Sequence, residues 1–296
     1  MVVTDEVLER YRAVYGLDES VGKQQVQAHW LLETQLTQEL LDSSPETRWA
    51  TFSRCYTQLY TELPWLNHGD SDESIKARWA PWMYLPKPSS RIFEIGSGGG
   101  ELLKALAAQG HQCVATEITQ ERGAKHQPDG ENITWHLTDG VNLTKFEPEA
   151  SYDLVISSQV IEHFHPEDLV THLKNARAIL KPGGRYVFDT PHRGTGPHDL
   201  SLVFGHEIAA CMHLKEYTYP EIDRALRFAG FSEIRSVGYR QRLSHRPHVS
   251  SFTHWLYCAS DTLLEKIRLP HYTERKLRFT LRGLLLPNRI WISAQR

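Results

Sequence analysis

The sequence predicts an α/β protein: a Rossmann-like, mainly parallel seven-stranded sheet with helices on both faces. Three observations carry that expectation. From residue 91 onward, short apolar runs alternate with stretches of helical periodicity, the pattern of repeated βα units. The first run passes through a glycine-rich turn into a helix, "RIFEIGSGGGELLKALAAQG" (91–110). The next two strands then close on acidic residues, Glu117 and Asp139, at the ends where α/β sheets bind ligands.

Residues 4–62 place apolar side chains at helical spacing, as in "VLERYRAVYGL" and "VQAHWLLETQLTQELL". A polar stretch with a proline, residues 42–47, breaks that region, and Ser43 or Ser44 is placed to cap the next helix. "LPWLNHGDSDES" (63–74) reads as a loop before a further helix, "IKARWAPWMYL". The expected strands are 91–95, 112–118, 132–139, 152–158, 185–191, 232–240 and 288–295; helices fill 101–108, 166–180 and 219–229. The division is therefore an N-terminal helical cap region, 1–74, and a sheet domain, 75–296. Residues 192–218 and 241–287 interrupt the rhythm and are expected as insertions that form a lid or substrate wall. Trp30, Trp65, Trp79, Trp82, Trp255 and Tyr257 are divided between pocket wall and core, with core the commoner fate.

The 296 residues are 40% hydrophobic and 23% charged, an ordinary globular composition. No apolar run approaches the ~20 residues of a membrane-spanning helix. The N-terminus is acidic and amphipathic, unlike a secretory signal. Cys55, Cys113, Cys211 and Cys258 show no paired or metal-type spacing, which implies a reducing, cytoplasmic setting. Net charge is −3, but residues 1–70 hold eleven Asp/Glu against five Lys/Arg, and 264–296 hold eight Lys/Arg against two Glu. The basic tail is either a solvated face near the acidic N-terminal region or a site for an anionic small molecule. The acidic whole argues against nonspecific nucleic-acid binding.

Clustered glycines let a backbone take φ > 0 or approach a ligand closely, and a helix N-terminus behind them offers free N–H groups. The turn is no phosphate loop of the Lys-Ser/Thr type. It departs from the dinucleotide fingerprint because Glu101 stands at the third glycine position. The pattern is instead acid-x-G-x-G-x-G: Glu94, Gly96, Gly98, Gly100.

With Glu117 and Asp139 on successive strand ends, this pattern resembles the class I S-adenosylmethionine (SAM)-dependent methyltransferases over about residues 75–240 and the last strand. The resemblance implies that Glu94, Gly96, Ser97, Gly98 and Gly100 flank the methionine portion of the cofactor. Glu117 with Ile118 then grips the ribose, and Asp139 with Gly140 meets adenine. "YDLVISSQVIEHF" resembles the family's fourth strand, whose Ser158 and Gln159 flank the methionine end, and "ILKPGGRYVFDTP" resembles the fifth.

Bases gather after those two strands: Gln159, Glu162, His163 and His165; His192, Arg193, His198 and Asp199; His213, Lys215 and Glu216. Glu162-His163 followed by "H-x-x-E-[aromatic]-T" resembles ubiquinone-pathway O-methyltransferases and the metal-dependent small-RNA 2′-O-methyltransferases. Carried over residue by residue, Glu162, His163 and His213 match the metal set of the latter, and Gln159 replaces its first Glu. One carboxylate and two imidazoles suit Zn²⁺, Mn²⁺ or Fe²⁺ better than Mg²⁺, with His192 or His198 as a further ligand. Without a metal, His163 or His213 becomes the general base. The reading is a SAM-dependent methyltransferase acting on a small molecule, at a hydroxyl oxygen. The alternatives are RNA ribose 2′-O-methylation, a SAM-binding protein without turnover and, more distantly, an NAD-dependent oxidoreductase.

Overall fold

The computed structural model describes residues 2–66, 72–120, 132–239, 246–266, 283 and 285–296. The centre is an eight-stranded sheet ordered β3-β2-β1-β4-β5-β8-β6-β7. In chain order these are β1 (Arg91–Ile95), β2 (Gln112–Glu117), β3 (Ile133–Leu137), β4 (Tyr152–Ser158), β5 (Leu180–Pro191), β6 (Ser232–Gly238), β7 (His248–Ser250) and β8 (Arg289–Gln295). Strands β3, β2, β1, β4 and β5 run parallel; β8 pairs antiparallel with β5 and β6. All seven expected strands are present. The eighth, β7, spans three residues, too few to leave a period-2 signature.

The helices are α1 (Asp5–Tyr15), α2 (Lys23–Leu41), α3 (Arg48–Glu62), α4 (Asp72–Trp79), α5 (Glu101–Ala108), α6 (Leu169–Ile179), α7 (Tyr219–Phe228) and α8 (Ser251–Lys266). Their ends follow from local chemistry. Thr4 caps α1 by accepting from the Val7 N–H, and Gly16 ends it at φ 63°. Thr218 and Glu221 form a capping box on α7, with Pro220 in its first turn.

Central strands are apolar on both sides because both faces are covered. Phe93, Ile95, Val155, Tyr186 and Phe188 join one core with Leu173 and Ile179 of α6 and Ile222 and Leu226 of α7. Ile92, Leu154, Ile156 and Val187 join the opposite core with Leu102, Leu103 and Leu106 of α5 and with Trp82.

Two smaller cores bind the N-terminal helices to the segment after β5. Leu8, Tyr11, Val26 and Trp30 pack with Leu200, Val203 and Cys211. Leu36 and Leu40 of α2 pack with Phe52, Cys55, Tyr56 and Leu59 of α3 and with Met212. Buried Arg48 adds ion pairs to Glu167 (3.0 Å) and Asp168 (2.7 Å) in the turn before α6. Helices α1–α3 and residues 192–218 thus form one roof, fixed by apolar burial, over the carboxyl ends of the parallel strands.

Candidate active site

A cavity of about 440 Å³ opens where that roof meets the strand ends. Its floor comes from the strand termini: Ile95 and Gly96, Glu117 and Ile118, Thr138 to Gly140, and Ser158 to Val160. The turn after β1 is built from left-handed glycines, Gly96 (φ 68°), Gly98 (φ 56°) and Gly100 (φ 73°). A Cβ on Gly96 would lie 2.7 Å from a methyl of Val160. Buried Glu117 ties this turn to β2: its Oε1 accepts from the Gly98 N–H (2.7 Å) and its Oε2 from the Ile118 N–H (3.1 Å).

Glu94 is only 2% exposed, and one of its carboxyl oxygens has no partner, as has the Ser97 hydroxyl. Burial, reinforced by Glu117 and Glu101, pushes the Glu94 pKa well above the carboxylate range. Asp139 spends its oxygens locally: Oδ1 accepts from the Val141 and Asn142 N–H groups and Oδ2 from the Asn142 amide. It faces the cavity while closing its own turn. Gly140 sits at φ 67°, with Phe164 ring atoms 3.0 Å from where a Cβ would be.

Gly140 is also held from behind. The His172 Nδ1–H donates to its carbonyl (2.7 Å), His172 Nε2 accepts from the Tyr186 hydroxyl (2.9 Å), and that oxygen pairs with Ser157 (2.7 Å). Burial lowers the His172 pKa to about 4, so the ring is neutral. Nothing in the sequence pattern distinguishes His172 from any other residue on the buried stripe of α6.

On the opposite side of the cavity, the ligating atoms of Glu162, His163 and His213 all lie within 4.8 Å of one another. Glu162 is fully buried in the turn after β4; its Oε2 accepts from the Thr190 hydroxyl (2.9 Å), and its Oε1 lies 4.0 Å from His163 Nε2 with no hydrogen-bond partner among the described residues. Burial pushes its pKa up to about 7, against the pull of His213. His163 turns Nδ1 to the Met212 carbonyl (2.9 Å), which fixes the proton there and the electron pair on Nε2. His213 turns Nδ1 to Glu216 (2.9 Å). Burial opposes charge on His213, but Glu216, Glu162 and Asp199 together hold its pKa above the usual value. Glu216 resists its own burial through His198 and His213 and sits near pKa 2. Each imidazole therefore presents Nε2 while Nδ1 is anchored, the arrangement typical of metal-bound histidine.

The roof supplies Tyr15 of α1, Glu33 of α2, and Phe52, Tyr56, Leu59 and Tyr60 of α3, with His198, Asp199, Leu200 and Met212 from the segment after β5. No motif in the sequence marks Tyr15, Glu33 or Tyr56. Contacts more than a hundred residues apart bring them to the site, beyond what periodicity records.

Of the expected cofactor residues, Gly96, Glu117, Ile118, Asp139, Gly140, Ser158 and Gln159 line the cavity; Glu94, Ser97, Gly98 and Gly100 do not. Gln159 holds a left-handed φ of 57° and reaches Asp189 (3.4 Å), away from the Glu162–His163–His213 group. His192 corrects an expectation. It is fully buried, with Nε2 on Asp261 (2.9 Å) and Nδ1 accepting from the Gly194 N–H (3.0 Å), so neither nitrogen serves a metal. His198 reaches the cavity but is engaged by Glu216 (3.3 Å). Of the insertion expected at 241–287, α8 packs on β6 and α7, and residues 241–245, 267–282 and 284 lie outside the described residues. Most of the basic tail lies outside the described residues. Its Arg289 pairs with Asp189 (2.8 Å).

A second cavity of about 510 Å³ adjoins the first, sharing Arg78, Ser158, Gln159 and His198 with it and adding Trp79, Trp82 and Arg289. Trp255 is 62% exposed and serves neither cavity. The four cysteines are unbridged. Among the described residues no helix is long and apolar enough to cross a membrane.

Residues 73–280 match the profile of the family described as "Methyltransferase domain". Among curated relatives, the ubiquinone biosynthesis O-methyltransferase of Xanthomonas campestris pv. campestris is 27% identical over 188 residues, 58% of this chain and 76% of that one. The Burkholderia pseudomallei protein of the same name is 27% identical over 165 residues, covering 51% and 69%. In fold, the chain is similar to a SAM-dependent methyltransferase from Archaeoglobus fulgidus (TM-score 0.52, 19% identity, 81% and 99% covered). It is likewise similar to 1,6-didemethyltoxoflavin-N1-methyltransferase of Burkholderia thailandensis (TM-score 0.52, 18% identity, 86% and 91% covered). With the glycine turn, the two strand-end acids and the profile match over most of its length, the chain belongs to the methyltransferase-domain family and is a class I SAM-dependent methyltransferase.

Proposed function

We propose that this methyltransferase acts on a hydroxyl oxygen of a small molecule, with Glu162, His163 and His213 as a divalent-metal site beside the methyl group. The observation that carries the reading is the convergence of one buried carboxylate and two anchored imidazoles within 4.8 Å. One orphaned Glu162 oxygen and two Nε2 atoms form a two-histidine, one-carboxylate set, suited to Fe²⁺, Mn²⁺ or Zn²⁺. The ubiquinone-pathway relatives favour oxygen as the acceptor atom.

SAM supplies a methyl group on a sulfonium, transferred by in-line displacement, so the protein's work is alignment and removal of the acceptor proton. A bound divalent ion supplies Lewis acidity that lowers the acceptor hydroxyl's pKa. Thr190 fixes Glu162, while Met212 and Glu216 fix the two rings, so the three donors are set before any ligand arrives. Gly96 keeps the floor open to the methionine portion. Glu117 offers the ribose hydroxyls a carboxylate already positioned by two N–H groups. Helices α1–α3 and residues 192–218 cover the acceptor end.

An RNA ribose is the second reading, because the same trio suits a diol. Against it, a phosphodiester chain would meet Glu33 and Asp199 in the roof. The test is chelation. EDTA abolishes turnover while SAM affinity holds, and Fe²⁺, Mn²⁺ or Zn²⁺ restores turnover better than Mg²⁺. Unchanged turnover under EDTA removes the metal and leaves the histidines as general bases.

A further inference from the structure

The roof's charges say what kind of acceptor it receives. Among the described lining residues Arg78 is the one Lys or Arg, and its guanidinium lies 4.9 Å from the centre of the Trp79 ring. Against it stand Glu33 and Asp199, besides the acids already assigned to the cofactor. We propose that the acceptor presents a protonated amine to a subsite formed by Glu33, Asp199, Tyr15 and Tyr56. This inference rests on the methyltransfer reading of the same cavity.

Glu33 is 8% exposed and is held by a directional chain. The Trp65 Nε1–H donates to the Tyr11 hydroxyl oxygen (3.1 Å), which leaves the Tyr11 proton for His29 Nδ1 (2.8 Å). His29 must then carry its proton on Nε2, from which it donates to Glu33 Oε1 (2.8 Å). The chain orients Glu33 toward the cavity that it lines. Asp199 is oriented by the N–H groups of Ser201 (3.0 Å) and Cys211 (2.9 Å); burial pushes its pKa up while His213 pulls it down. Two carboxyl groups are thus oriented at the cavity, and among the described residues neither is paired with a Lys or Arg.

A second observation points independently to a ligand. Tyr56 is 8% exposed, lines the cavity and has a buried hydroxyl without a partner. A buried hydroxyl is costly to leave unpaired, and an ammonium N–H would satisfy it. The rings of Tyr15, Phe52, Tyr56 and Tyr60 line the same space, and aromatic faces attract ammonium groups. A carboxylate or phosphate there would oppose Glu33 and Asp199 directly.

The experiment titrates the protein, saturated with S-adenosylhomocysteine, with three phenols that differ in the para substituent: tyramine (ammonium), p-cresol (neutral) and 4-hydroxyphenylacetate (carboxylate). Tyramine is expected to bind about a hundredfold tighter than the acid, since like charges juxtaposed in a closed site are strongly disfavoured. Glu33→Gln and Asp199→Asn should each bring tyramine toward p-cresol, with S-adenosylhomocysteine affinity reporting that the variants are folded. Equal or tighter binding of the acid overturns the proposal. So does a tyramine preference that survives both substitutions, or failure of all three phenols to bind. The readout is binding without turnover or metal, so it stands apart from the chelation test. If EDTA leaves turnover intact but tyramine still wins, the metal reading alone falls.

Discussion

The two halves of the cavity are made in different ways. The half proposed to hold the cofactor is assembled from four consecutive strand-to-turn junctions of one sheet, and its contacts are mostly backbone: left-handed glycines, N–H groups on Glu117, the Gly140 carbonyl on His172. The half proposed for the acceptor is assembled from side chains of α1–α3, of residues 192–218 and of the turn after β4, with the helices and residues 192–218 joined in two small apolar cores. The first half inherits its geometry from the parallel sheet and tolerates little change. The second is a packed attachment, and on the proposed reading its side chains set what is methylated. A shared reaction with a variable acceptor calls for this separation.

Substitutions in the two halves should therefore fail in different observables, and the largest effect belongs to the acceptor half. His163→Ala and His213→Ala should each slow turnover by about 10²–10⁴-fold, the range for loss of an acid–base or metal-positioning group. SAM affinity, measured by calorimetry, should stay unchanged. Loss of SAM affinity in either variant would merge the halves, and full activity in both would remove the trio from the chemistry.

The cofactor half should answer first in affinity. Glu117→Ala leaves the Gly98 and Ile118 N–H groups without their acceptor and the ribose hydroxyls without theirs, so SAM should bind about a hundredfold more weakly. Gly96→Val combines a left-handed φ with a Cβ 2.7 Å from Val160 and should abolish binding. Calorimetry showing wild-type affinity in both would break the assignment of this floor to the cofactor.

The same asymmetry explains what the sequence disclosed. Glycines at 96, 98 and 100 and acids at 94, 117 and 139 are regular in spacing because the sheet is regular, and seven strands were legible from the alternation of apolar runs. Glu162, His163 and His213 were legible only through resemblance; no spacing rule brings His213 across fifty residues to the β4 turn. Glu33, Tyr15 and Tyr56 look like ordinary members of amphipathic helices, since a helix face does not record which partner covers it. His192 misled for the converse reason: a histidine near a site is conspicuous in sequence, whereas the buried Asp261 that claims it is invisible.

A pH titration tests the support beneath the cofactor half. His172 is fully buried and its pKa is lowered to about 4, while an unfolded histidine protonates near 6.5. Below pH 6.5 the unfolded chain binds a proton the folded chain refuses. Stability from this group is thus complete above pH 6.5 and drains away as pH falls toward 4, by about 3 kcal/mol. His172→Gln should flatten that part of the urea-unfolding profile and weaken SAM through the freed Gly140 turn. An unchanged profile would show that His172 does not carry this pH dependence.

The smallest effect is the most discriminating. Tyr11→Phe removes one oxygen from a side chain with no exposure, leaving the apolar core of α1 and α2 intact. It deprives His29 Nδ1 of its donor and Trp65 Nε1 of its acceptor. A lost buried hydrogen bond of this kind costs about 1–3 kcal/mol, read as a lower urea midpoint with an unchanged slope. His29 is then released from the tautomer that orients Glu33, so tyramine binding should weaken severalfold, while S-adenosylhomocysteine affinity should not move because Trp65, Tyr11, His29 and Glu33 all belong to the segment before β1. If cofactor affinity falls with amine affinity, the roof and the floor are coupled and the division between them is false. If stability falls while both affinities hold, the Trp65–Tyr11–His29 chain is scaffolding, and Glu33 owes its orientation to the packing of α2 alone.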